Sequence, residues 1–129
     1  MYDIKKKYLV VHLCLILFGA FLMFCRWINH IEPEVKILPE FILAHATNFA
    51  LCLFLLLIIG FIILMFTGKI KAITIIAAVV AVCSVIYECF LPMLNTPDVI
   101  DAVFGVCGTL VAYLHLLLLK KKGIYIKQG

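Results

Sequence analysis

Four apolar runs, each long enough to cross a lipid bilayer and separated only by short polar segments, constrain this chain more than any other feature. They fall at about 8–28, 41–66, 72–91 and 98–119. A hydrocarbon core of about 30 Å takes helices of roughly 20 apolar residues, because a helix satisfies its own backbone polar groups where water is absent. With 67% hydrophobic and 14% charged residues among 129, the chain carries more apolar surface than a water-soluble domain of that length could hide. The expected fold class is all-α: an integral membrane four-helix bundle, a single transmembrane domain over 1–129, with N-terminus and C-terminus cytoplasmic.

The distribution of charge sets that orientation. Of eleven Lys and Arg residues, nine (Lys5, Lys6, Lys7, Lys69, Lys71, Lys120, Lys121, Lys122 and Lys127) fall on the side holding both termini and the second loop. Only Arg26 and Lys36 fall on the other, and basic residues flanking a span stay cytoplasmic. Of the acidic residues only Asp3 is inside, whereas Glu32, Glu34, Glu40, Glu88, Asp98 and Asp101 lie outside. Trp27 and Tyr87 suit an outer aromatic belt, and Tyr2 and Tyr125 an inner one. Because the net charge of +4 is accounted for by topology, no nucleic-acid partner is expected; the lipid bilayer is.

Each segment carries its own signals. The first run is longer than a signal-peptide core of about 15 residues and lacks a small-residue cleavage site, so it reads as a retained span. Loop one, Asn29 to Glu40, contains Pro33 and Pro39, which disfavour a continuous helix. The second run exceeds what the bilayer needs and should tilt or project. The linker from Thr67 to Lys71 is short enough to force a tight antiparallel hairpin. Pro92 should stop the third run, with Thr96 capping the fourth, Pro97 at its first helical position and Asp98 in its first turn. The six cysteines show no close pair spacing and read as small buried hydrophobes, although Cys25 and Cys89 both fall near the outer ends of their helices.

Ionisable residues within apolar runs cost energy and need a reason, about 2.5 to 3.5 kcal/mol each at the bilayer centre. At the outer level His45 and Asn48 are three apart on the second run, Asp98 and Asp101 are three apart on the fourth, and Glu88 ends the third with Ser84 a turn below. If these faces converge, they make an outward-facing polar pocket that binds a ligand through His45, Asn48, Glu88, Asp98 and Asp101. The bland alternative is that Asp98 and Asp101 merely favour a helix N-terminus and that Glu88 sits among headgroups. At the inner level His12 and His115 share a depth and could meet, with ordinary interfacial histidines the favoured reading. Below Asp101, Gly105, Gly108 and Ala112 form a small-residue stripe expected to pack against another helix, within the chain or across a homo-oligomer. No metal-ligand spacing such as His-Glu-x-x-His occurs, so no metal and no cofactor are expected.

The segment Glu88 to Ala112, ECFLPMLNTPDVIDAVFGVCGTLVA, resembles the closing motif of the VanZ-like family, small bacterial membrane proteins named for a teicoplanin-resistance factor. In that family a Glu ends one span, and a Pro-containing turn leads to Asp-x-x-Asp and then Asn and Gly down the next helix. Glu88, Asp98, Asp101 and Gly108 fall on those positions, and His45 to Phe49 (HATNF) resembles the family's His-x-x-x-aromatic element. Leu91 stands at the family's Gln and Gly105 at its Asn, and the turn Arg has no counterpart.

The resemblance implies a multi-pass protein of the bacterial cytoplasmic membrane, acting in the cell envelope in antibiotic resistance. It would bind a lipid-linked or small-molecule antibiotic ligand at the outer polar cluster. Two other classes stay open, an oligomeric pore or small transporter subunit and a scaffold for a membrane complex. An enzyme is the weaker reading, since no nucleophile has an adjacent base and no loop is built to cradle phosphate.

Overall fold

The computed structural model describes residues 2–91 and 96–126. Four helices account for most of it: α1 (Lys6–Ile31), α2 (Glu40–Thr67), α3 (Ile70–Phe90) and α4 (Val99–Leu118). Each is long and apolar enough to cross a membrane, and their connectivity is that of a multi-pass bundle. Their lengths follow from uninterrupted apolar sequence, and their ends from local chemistry. At the α2–α3 hairpin Gly68 adopts the left-handed conformation (φ 63°), and its N–H reaches the Leu64 carbonyl at 2.9 Å. Its backbone lies against the Tyr2 ring, so this turn needs glycine both for its φ and for the close approach.

The start of α4 corrects one sequence expectation. Asp98, not Thr96, is the cap: its carboxylate accepts from the backbone N–H groups of Ile100 and Asp101. The Asp98 N–H in turn donates to the Glu88 carbonyl at 2.9 Å, joining the head of α4 to the tail of α3. That tertiary bond chooses between two residues that could each cap. Pro92 and Asn95, which the sequence reading assigned to the turn, lie outside the described residues.

A short departure from the all-helical expectation closes the other end. After α4 the chain widens into a π-helical turn, Leu119–Gly123, and then pairs as a strand with the start of the chain. Strands β1 (Tyr2–Ile4) and β2 (Ile124–Ile126) are antiparallel, with Asp3 opposite Tyr125. The Tyr125 hydroxyl donates to Asp3 Oδ2 at 3.2 Å, and this carboxylate raises the tyrosine's pKa above its ordinary value. Both ends of the chain are thereby held together at one end of the bundle.

Helix α2 is apolar on all sides below His45 and Asn48. It touches all three other helices, and α4 packs between it and α3. The core is a leucine-rich layer of Leu53, Leu56, Leu57, Leu64, Ile73, Leu116 and Leu119, all fully buried. Outward faces carry large apolar side chains too, with Leu17 at 66%, Phe66 at 69% and Phe90 at 70% exposure. An apolar exterior around an apolar core is the reverse of a water-soluble surface and suits a lipid surround.

The small-residue stripe faces inward. A Cβ on Gly105 would meet Ser84 of α3 and Cys52 of α2, one on Gly108 would meet the backbone of Phe49, and Ala112 is fully buried. The stripe therefore packs within the chain, where it brings α4 close to α2 and α3.

Candidate functional site

The polar residues of α2, α3 and α4 converge at the end of the bundle opposite the strand pair. His45 Nδ1 lies 2.7 Å from Asp101 Oδ1 and 3.9 Å from Asp98 Oδ2. Asn48, one turn further along α2, donates from Nδ2 to Glu88 Oε1 at 2.9 Å. All five side chains singled out in the sequence thus fall into two adjoining groups. Glu88 is 3% exposed, buried within the bundle rather than set among headgroups.

The local structure explains the orientation of each group. The three-residue spacing places His45 with Asn48 on one face of α2, while Asp98, extended at the head of α4, is held beside Asp101 by the cap, its Oδ1 accepting from the Asp101 N–H. The His45 ring is fixed by aromatic contacts with Phe41 and Phe104, at centroid distances of 5.0 and 5.3 Å. Asp98 spends Oδ1 on the cap, which leaves Oδ2 turned toward His45.

Beside these groups lies a cavity of about 680 Å³ between α2 and α3. Its polar end is formed by Arg26, Asn48, Ser84, Glu88 and Asp101, and its other end by Leu51, Leu55, Val79 and Val80. Such a lining matches an amphiphile, with a polar head at one end and a hydrocarbon chain at the other. Asp101 belongs both to this cavity and to the His45 group.

Arg26 is the member of the site that the sequence reading took only as a flanking charge. From α1 it donates Nη1 to the Ala44 carbonyl at 2.9 Å and lines the polar end of the cavity. A signal was present, since Arg26 falls inside the first apolar run instead of beyond its end.

At the opposite end His12 and His115 do meet, with Nδ1 of one 3.2 Å from Nε2 of the other. Both are buried, at 4% and 5% exposure, and His12 stacks on Phe61 at 4.4 Å. They are a core pair rather than interfacial histidines, since one ring nitrogen must donate to the other to satisfy both. Substituting His115→Leu strands a buried His12 nitrogen and should cost about 1–3 kcal/mol, as should His12→Leu. The double variant should cost less than the sum by about 1 kcal/mol in a thermal-unfolding cycle; additive losses would show that the contact contributes nothing.

All six cysteines are free thiols. Comparisons with family models, curated proteins and solved structures find no match to this chain.

Proposed function

We propose that this chain is a VanZ-like protein of the bacterial cytoplasmic membrane, crossing it four times with both termini in the cytoplasm. In this reading its outer polar pocket binds the head of a lipid-linked or antibiotic ligand. The observation that carries the proposal is the convergence of His45, Asn48, Glu88, Asp98 and Asp101, drawn from three helices, on one cavity with an apolar extension. Polar side chains inside a span are expensive, and a shared site gives a reason for all of them at once. The orientation is supported by Lys5, Lys6, Lys7, Lys69, Lys71, Lys120, Lys121 and Lys122 at the end holding the strand pair; with that end inside, the cavity faces the outer leaflet.

A water path through a single chain is the weaker reading. The outer cluster and the inner histidines are separated by about 24 Å of α2, taking 1.5 Å per residue, and that interval is filled by Leu53, Leu56 and Leu57. The ligand reading is tested by expressing Glu88→Gln with Asp101→Asn in a glycopeptide-susceptible bacterial host. Both changes preserve shape, so the double variant should reach wild-type membrane levels and lose at least about tenfold in protection, roughly 1.4 kcal/mol of ligand affinity. Full protection by that variant rejects the pocket as the working site.

A further inference from the structure

A second feature of the outer site goes beyond a polar pocket. His45, Asp98 and Asp101 each turn one donor atom toward a common point, and these atoms all lie within 4.8 Å of one another. We propose that the three residues bind one divalent metal ion of the Mn²⁺ or Zn²⁺ class at the polar mouth of the cavity.

The donor separations are close to those a bound ion would need. Donor atoms held about 2.1 Å from a metal in tetrahedral or octahedral array stand roughly 3.0–3.4 Å apart. The separations from His45 Nδ1, 2.7 Å to Asp101 and 3.9 Å to Asp98, bracket that range, so small side-chain rotations suffice. One imidazole with two carboxylates is a mixed nitrogen and oxygen set, which suits Mn²⁺ or Zn²⁺ better than Ca²⁺ or Cu⁺.

The supporting contacts are those that orient metal ligands. Phe41 and Phe104 fix the imidazole plane, and two backbone N–H groups hold the other oxygen of Asp98. The set joins α2 to the start of α4, with the His45 side chain 11% exposed, Asp101 22% and the capping Asp98 37%. Because Asp101 also lines the cavity, coordination positions left open by the protein would adjoin it. An ion there, with Arg26 at the same end, would hold a phosphate-bearing head. That consequence rests on the pocket reading, whereas the ion-binding claim does not.

The test is binding of Mn²⁺ to the chelator-stripped, detergent-purified full chain, read as loss of the free-ion electron paramagnetic resonance signal. Mn²⁺ is chosen because the six thiols compete poorly for it. Wild type should remove one equivalent. His45→Gln, Asp98→Asn and Asp101→Asn should each weaken binding by about tenfold or more. Asn caps as well as Asp, so the Asp98 variant should retain its helix start, and circular dichroism with elution volume verifies the fold of all three. Glu32→Gln with Glu34→Gln, on the exposed loop, should bind as wild type does. Absence of stoichiometric binding by wild type, or equal binding by all variants, overturns the proposal and leaves His45 as an ion-pair partner of the two aspartates. Loss of protection by the Glu88 variant alongside no metal binding would reject the ion and keep the pocket.

Discussion

Replacing Gly108 by alanine should be the most damaging single-methyl change in this protein. A Cβ there would overlap the Phe49 carbonyl oxygen and stand 3.0 Å from its carbon and 3.2 Å from its Cα. Those are backbone atoms of α2, so no rotamer change relieves the contact and the two helices must move apart. Overpacking costs about 1–3 kcal/mol in general, and this case belongs at the upper end because two helix axes must shift. The movement would also draw Asp101, about two helical turns along the same face of α4, away from His45.

Gly60 provides the comparison. A Cβ there would meet Leu116 Cδ1, the tip of a flexible side chain, and Gly60→Ala should cost roughly 1 kcal/mol or less. Gly105→Ala falls between, since the obstacle is the Ser84 hydroxymethyl, and adding Ser84→Gly should recover part of the loss. Melting temperatures in detergent should therefore rank Gly60→Ala above Gly105→Ala above Gly108→Ala. Equal melting of the Gly60 and Gly108 variants would show that α2 and α4 are less closely apposed than described.

The spans were legible because run length alone decides them: a chain with four apolar stretches of this size has few alternatives in a bilayer. The hairpin was legible from Gly68 and the shortness of its linker. The candidate site was legible only in halves. Helical spacing places His45 with Asn48, and Asp98 closely precedes Asp101 at the head of α4, but 56 residues separate His45 from Asp101 and 40 separate Asn48 from Glu88. No local period reports which faces will meet, so the sequence states the convergence of these side chains only as a condition and says nothing of the distances between them.

Arg26 was hidden for a related reason: it counts as an exception to the inside excess of basic residues, and nothing in its own run reports that it will face α2. The strand pair was hidden because three-residue strands carry no recognisable alternation. Burial of the two histidines depends on packing against Phe61, which sequence depth alone does not show.

The bond between Asn48 and Glu88 shows how closely the site and the fold are joined. Asn48→Leu keeps the volume of the α2 side chain and removes the donor that meets Glu88 Oε1. The carboxyl it serves is 3% exposed, so water cannot replace the lost donor without opening the bundle. Depriving a buried acceptor of a partner costs about 1–3 kcal/mol, and more where the group is charged. Glu88→Gln, by contrast, presents a carbonyl oxygen to the same amide and should cost about 1 kcal/mol or less. Asn48→Leu should therefore destabilise the protein by roughly 2–3 kcal/mol, while Glu88→Gln leaves stability near wild type. If the penalty arises at this bond, Glu88→Leu added to Asn48→Leu should restore part of the stability, since the carboxyl that lost the Asn48 donor is then gone. Thermal unfolding of the four variants in one detergent measures this, and a double variant no more stable than Asn48→Leu would place the cost elsewhere.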